Sequence, residues 1–479
     1  MATLRTPSLP FRLIALSACI VASPACRRAE PPKTQAAFAP VPESQPRAAV
    51  ASPSKTEAKP GKPPTPLQRC FPEDTALSPP RSLQALLDRA ADRIEQASQT
   101  ERICQDSDAK NSPTRLLGEA LACAEESLRQ QELSVEAHHN RALALLGLGQ
   151  KDEAKLAFTH ALALAPDDPE TLAGAAELYI HHLPATIENT QIGLAYVRHG
   201  KATLQREKRE EIPRRALRAT PEIAASRQGP RGQSAAGRPE RPLRPIASSA
   251  QRSLLSRFLL MEGQALIDLG RAGQALAPLD EAIALSDNDQ ARYERGLVLF
   301  DLCRLKEAQR AFAELVRRTP DDAWAHHQLG LVLEMLGESA AAEKELASAR
   351  KLAPQDFPDP LPISVSDFRT IVDEEVAALP QQSRSDLRLL RLELADLPDI
   401  ADLTADQPIL SPTIVGLFRG LPLGMPDSEP RSIVLYRKNL LRIVATREEF
   451  RAQVRTTLLH ELGHLRGEDD DELRARGLE

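Results

Sequence analysis

The sequence predicts a multi-domain chain, an all-α array of stacked helical repeats followed by a small α+β domain. Three observations carry this. Position-specific residues recur with a 34-residue period through the middle of the chain. A proline cluster, Phe357-Pro358-Asp359-Pro360-Leu361-Pro362, ends that period and opens a stretch of mixed helix and strand patterning. The stretch closes on an amphipathic helix bearing His460-Glu461-Leu462-Gly463-His464. Composition agrees: 479 residues suffice for two or three domains, and 42% hydrophobic with only 3% aromatic residues suits helices packed through Ala and Leu. The net charge of −6 gives no argument for nucleic-acid binding, and six cysteines are too few for a disulfide scaffold.

The N-terminus reads as a targeting segment. Arg5 and Arg12 precede a short apolar run from Leu13 to Ala18, too short for the roughly 20 residues that span a bilayer. Leu16-Ser17-Ala18-Cys19 resembles the bacterial lipobox, in which the cysteine is lipidated and becomes the mature N-terminus. Cys26 is the fallback, after Ser23-Pro24-Ala25. Residues 1–18 are then a signal peptide, and 19–68, rich in Pro, Ala, Ser and Lys, a disordered tether. Neither Ile20 nor Arg27 is an aspartate, so the expected location is the cell envelope, as an outer-membrane lipoprotein facing the periplasm or outside. There Cys70, Cys104 and Cys123 can form a disulfide, with the pairing left open. Cys303 reads as a packed core residue.

Residues 69–205 begin with amphipathic helices over 82–104 and 113–131 and then enter the repeats. In 135–168 the pattern is Ala142, Leu145, Gly149, Ala154, Phe158, Ala161, Pro166. In 289–322 it is Gly296, Leu299, Ala308, Phe312, Leu315, Pro320, and in 323–356 Gly330, Leu333, Gly337, Ala342, Leu346, Ala349, Pro354. A copy near 256–288 has Gly263, Gly270, Ala275, Leu279 and Ala282, and a degenerate one begins at Pro169 and resumes at Gln191. A small residue sits where two helices touch, a larger one packs above it, and proline ends the second helix. These copies resemble tetratricopeptide repeats, and the resemblance implies a concave groove for a protein or peptide. Residues 206–251 read as a disordered basic insertion, and 252–356 as the remaining repeats.

The domain 357–479 is expected to hold the chemistry. A helix is predicted over 366–379, strands over 387–394, 432–436 and 440–444, and a turn-rich element over 414–423. Thr446-Arg447-Glu448-Glu449 has the spacing of a capping box at the start of a helix. Phe450, Val454, Leu458 and Leu462 form its buried stripe. His460 and His464, four residues apart, face one way and can share a metal ion, and Glu461 can take a proton from a metal-activated water. Gly467 lets the chain turn back, so Glu468, Asp469, Asp470, Asp471 or Glu472 can supply a third ligand. The paired histidines at 138/139, 181/182 and 326/327 face different directions on their helices and are poor joint ligands.

From Ile363 onward the chain resembles a small bacterial family of zincin-like metallopeptidases of minimal fold. The matching stretches are Leu379-Pro380, residues 416–423, Ile433 to Arg437, and Val454 to Gly467. In that family the motif runs HExxHxxGxxD, which implies zinc held by His460, His464 and Asp470 and makes Glu461 the catalytic base. Leu465 stands where the family often has a third histidine. Asp469, Asp471 and Glu472 are then left as a solvated acidic terminus. The expected function is a membrane-tethered zinc metallopeptidase whose repeats bind a protein or peptide. The alternative is a non-catalytic interaction scaffold with a structural zinc site. No motif names a second residue for the oxyanion; Tyr436 and Arg437 are candidates from proximity in sequence alone.

Overall fold

Within each repeat the two helices start differently, for a local reason. The first helix opens on a side chain that accepts from its first turn: Ser134, Ser248, Asn288 and Asp322 each take an N–H at N3. The second helix follows a turn too tight for a cap. There the chain passes through the left-handed region at Gly149, Gly270, Cys303 and Gly337. The computed structural model that shows this describes residues 65–72, 82–103, 112–218, 248–405, 408–425 and 430–478. The expected signal peptide, Cys19, Cys26, most of the tether and Cys104 lie outside the described residues. Among those described, no helix is long and apolar enough to cross a membrane.

The chain divides into two compact units. The described part of the first holds α1 (Pro66–Cys70), α2 (Leu83–Ile103), α3 (Pro113–Gln130), α4 (Val135–Gly147) and α5 (Lys151–Leu164). Cys70 and Cys123 form a disulfide that ties α1 to α3, which resolves the open pairing. Glu119, only 6% exposed, is reached by Arg89, Arg93 and Arg115.

The second unit begins with α6 (Pro169–Glu177), which runs into one π turn at Leu178–His182, and then α7 (Ile187–Arg218). α7 runs past residue 206, where the insertion was expected to begin, because 204–211 is a run of good helix formers. Residues 219–247 lie outside the described residues. Three helical pairs follow: α8 (Ser249–Asp268) with α9 (Ala272–Ser286), α10 (Asp289–Asp301) with α11 (Leu305–Arg318), and α12 (Ala323–Met335) with α13 (Ser339–Leu352). The small-against-large rule of the sequence is realised here. A Cβ at Gly263, Gly296 or Gly330 would meet Leu279, Phe312 or Leu346 at 2.6 Å, so the glycines set the approach of each pair. Cys303 is not a core residue, since it occupies the left-handed turn position that is glycine in its sister repeats.

The array ends where Phe357 covers its last pair, stacked on His327 (4.5 Å) and edge-on to Trp324 (4.8 Å). The small domain follows with α14 (Val365–Ala378), α15 (Gln381–Leu387), β1 (Arg391–Ala395), α16 (Ile400–Thr404), β2 (Gly416–Arg419), β3 (Ser432–Tyr436), α17 (Arg437–Arg442), α18 (Arg447–Arg466) and α19 (Asp470–Ala475). Its sheet has the order β1-β3-β2, with β1 parallel and β2 antiparallel to β3. Ile433 and Leu435 of β3 and Phe418 of β2 join Phe368 and Ile371 of α14 in one core. The predicted α18 stripe, Phe450, Val454, Leu458 and Leu462, lies in that core fully buried.

Three expectations change here. Residues 440–444, expected as a strand, lie mostly in α17 and the turn after it. Asn439 in that helix is buried and donates to the carbonyls of Pro412 and Ile414, which holds it against the preceding loop. The turn-rich element contains β2, a four-residue strand hidden by Gly416 at its start and Gly420 just after it. The first strand begins only at Arg391, because 381–387 is helical. The domain is bound to the repeats before it. Glu334 of α12 accepts from Lys438 (2.7 Å) and Arg442, and Asp301 accepts from Ser411 (3.0 Å).

Candidate metal centre

α18 is built to hold its last turn still. Its start carries the expected capping box, Thr446 with Glu449. Arg451 and Arg455 bind Glu375 of α14, which is 1% exposed, and Arg466 binds Asp386 and Ser383 of α15. Gly467, in the left-handed region, then turns the chain back. Asp469 caps the new helix α19 reciprocally with Glu472, which places Asp470 at its first position. Asp469 and Glu472 therefore have a structural task and are not simply a solvated terminus.

The result is a cluster of three potential ligands, and among the described residues it is the only such group able to hold a metal ion. His460 Nε2 and His464 Nε2 are 3.1 Å apart, and Asp470 Oδ1 lies 3.6 Å and 3.3 Å from them. A tetrahedral ion with bonds of about 2.0–2.1 Å spaces its ligand atoms by about 3.3–3.4 Å, so the donor set fits zinc. Both rings are oriented from behind: His460 Nδ1 meets the carbonyl of Leu478 at 2.6 Å and His464 Nδ1 that of Glu468 at 3.0 Å. A carbonyl only accepts, so Nδ1 carries the proton in each neutral ring and Nε2 keeps its lone pair for the cluster. Burial disfavours the His460 cation, but the Asp470 carboxylate, the Glu461 charge and the Leu478 carbonyl outweigh it and raise His460 to about 9. Hydrogen bonds from both histidines hold the Asp470 carboxyl well below the usual carboxylate range.

Glu461 is 6% exposed and lies beneath the edge strand β2. The Val415 carbonyl accepts from Tyr436 N–H at 3.0 Å, so alternate residues of this segment pair with β3 and Gly416 and Phe418 point to the free edge. The Phe418 N–H donates to the Glu461 carboxylate. A Cβ on Gly416 would sit 2.9 Å from Glu461 Oε1 and 2.5 Å from Thr457, so only glycine lets the carboxylate lie against the strand. Burial pushes the Glu461 carboxyl up, and the charges of His460 and His464 oppose the shift.

Beside the centre runs the loop 421–425. The Leu423 N–H donates to the Leu465 carbonyl (2.7 Å), and Arg431 binds the carbonyls of Leu421, Pro422 and Met425. Arg437 is engaged by Asp396 and the Ile363 carbonyl, and the Tyr436 hydroxyl is buried with no hydrogen-bond partner in the described residues. The pair His326/His327 diverges as expected: His326 binds Glu345 and the Pro320 carbonyl, whereas His327 stacks on Phe357. Sequence reasoning missed Gly416, Phe418 N–H, Gly463, Leu473 and the Leu478 carbonyl. The spacing Asp469-x-x-Glu472 was the one signal that could have revealed α19.

Residues 387–478 match the zincin-like metallopeptidase family. Residues 135–168, 260–308 and 302–357 match tetratricopeptide repeat families. Among solved structures, the type IV pilus biogenesis factor PilW is 16% identical, covers 59% of this chain and 98% of its own, and has a TM-score of 0.38. PilF of Pseudomonas aeruginosa is 9% identical over 60% of this chain and 99% of its own, with a TM-score of 0.38. YrrB, a repeat protein with an unusual peptide-binding site, is 18% identical over 48% of this chain and 93% of its own, with a TM-score of 0.30. The chain thus combines tetratricopeptide repeats with a C-terminal zincin-like metallopeptidase domain. The domain suggests a metallopeptidase, and the repeats suggest protein binding.

Proposed function

We propose that the protein is a zinc-dependent peptidase of the cell envelope, tethered through a lipid on Cys19 (or Cys26), whose repeats bind the protein or peptide to be cut. One observation carries the reading: two imidazole Nε2 atoms and one carboxylate converge beside a buried, strand-held glutamate. His460, His464 and Asp470 would hold the ion. Zinc bound there supplies a Lewis acid and lowers the pKa of water to about 7. Glu461, steadied by the Phe418 N–H, takes the proton from the attacking water and returns it to the leaving amine. The ligand count favours catalysis over a structural site: the cluster offers three protein ligands among the described residues, whereas structural zinc takes four.

The Cys70–Cys123 disulfide supports an oxidising compartment, which agrees with export. Fatty-acid labelling should be lost on Cys19→Ala, and labelling that survives loss of both Cys19 and Cys26 would remove the anchor from the account. For the chemistry, the purified full chain should hold one zinc ion and cleave members of a peptide library. Zinc-loaded protein that cuts nothing, alone or with a repeat-bound protein, would return the domain to a structural role.

A further inference from the structure

We propose that the metal centre extends past its third ligand: α19 and the turn after it form a clamp whose far end, the backbone carbonyl of Leu478, is a positioning group for His460. The inference rests on the metal-centre reading and adds to it a part that the HExxHxxGxxD pattern does not contain.

The clamp is built in steps. Leu473, on the inner face of α19, is fully buried. It seats where Gly463 of α18 has no side chain: a Cβ there would lie 2.2 Å from Leu473 Cδ2. Glycine is otherwise a poor choice inside a helix, less favourable than alanine, so the notch is the physical reason for it. Arg476 pairs with Glu468 across the same turn. With α19 docked, its two ends reach the centre from two sides. Its first residue, Asp470, faces the imidazoles at 3.3 Å and 3.6 Å. Past its last turn the chain goes left-handed at Gly477 (φ 73°), and the Leu478 N–H closes back onto the Leu473 carbonyl at 3.1 Å. That closure aims the next carbonyl, of Leu478, at His460 Nδ1, 2.6 Å away.

The two histidines are thereby held unequally. His464 is oriented by a carbonyl four residues on, part of the turn that its own helix makes. His460 depends on a group 18 residues on, which reaches it only while α19 is docked and Gly477 keeps its turn. Partners behind a metal-bound histidine fix its tautomer and typically contribute 10–100-fold in affinity.

The test is zinc affinity of the full chain, by titration against a competing chelator. The parent is compared with Gly477→Val, whose branched side chain opposes a positive φ, and with a chain ending at Gly477. Both changes should weaken zinc by about 10–100-fold. Arg474→Ala, on the exposed face of α19, should stay within about twofold. A second measurement needs no variant: imidazole nitrogen NMR of the zinc-loaded parent should show His460 protonated at Nδ1. Equal affinity in the parent and the shortened chain, or a His460 proton on Nε2, overturns the clamp and leaves the metal centre standing. A parent that takes up no zinc overturns both.

Discussion

Gly463→Ala is the most demanding small perturbation of this centre, because two general effects oppose each other there. In an ordinary helix the change stabilises by about 0.5–1 kcal/mol. Here the new methyl would start 2.2 Å from Leu473 Cδ2, with Cγ and Cδ1 both at 3.2 Å. Comfortable carbon contacts are about 3.5–4.0 Å, so Leu473 must withdraw by roughly 1.3–1.8 Å. It is fully buried and cannot swing into solvent without carrying α19 along. Overpacking of this kind costs about 1–3 kcal/mol, more than the helix gains. The same displacement draws Asp470 away from the imidazoles and the Leu478 carbonyl away from His460. Thermal unfolding of the metal-free protein should therefore fall, and zinc affinity should drop by at least tenfold. Gly463→Ala with Leu473→Ala should recover part of the zinc affinity, because the shorter side chain leaves room for the methyl. A single variant that melts higher than the parent and binds zinc equally well would refute the notch.

Other consequences are as direct. In the metal-free protein His460 is raised to about 9 from its ordinary 6.5. The stability it contributes is full below about pH 6.5 and is lost as pH rises through 9, amounting to about 3 kcal/mol or less. Urea unfolding at pH 6 and 9.5 measures this, and saturating zinc should abolish the trend because the ion requires the neutral ring. Equal metal-free stability at both pH values contradicts it. Glu334→Ala removes the carboxylate shared by Lys438 and Arg442 and should cost about 3 kcal/mol, seen as an earlier transition for the small domain. Cys70→Ser with Cys123→Ser opens a crosslink spanning 53 residues and should destabilise the N-terminal unit by about 2–4 kcal/mol in thermal unfolding. Zinc affinity should not change, and a loss there would tie the disulfide to the metal centre.

Legibility followed the range of the interactions. Helix starts were readable because a cap is made within three residues, as at Thr446 with Glu449. The repeat pairs were readable because the same glycine-to-large contact recurs at one spacing, Gly263 to Leu279 and Gly296 to Phe312. His460 and His464 needed only helical geometry to be placed together. β2 was hidden because four residues, Gly416 the first of them and Gly420 directly after, carry too little pattern, and it exists only by pairing with β3. Residues 440–444 are apolar enough for a strand, yet Asn439 is satisfied by two loop carbonyls that only the folded chain supplies. Asp469 looked like one acid among several until the chain after Gly467 proved to be a helix that needs a cap. Cys123 could be paired with Cys70 only once α1 was seen against α3.

The central claim is that Glu461 acts on a proton while His460, His464 and Asp470 hold the metal. Glu461→Gln separates these tasks, because glutamine keeps the shape and can still meet the strand but cannot take a proton. Zinc content and cleavage of a responsive peptide should be measured on the same purified parent and variant. The account predicts unchanged zinc with hydrolysis reduced by about 10²–10⁴-fold. A variant that cleaves as fast as the parent, or one that loses its zinc, contradicts it.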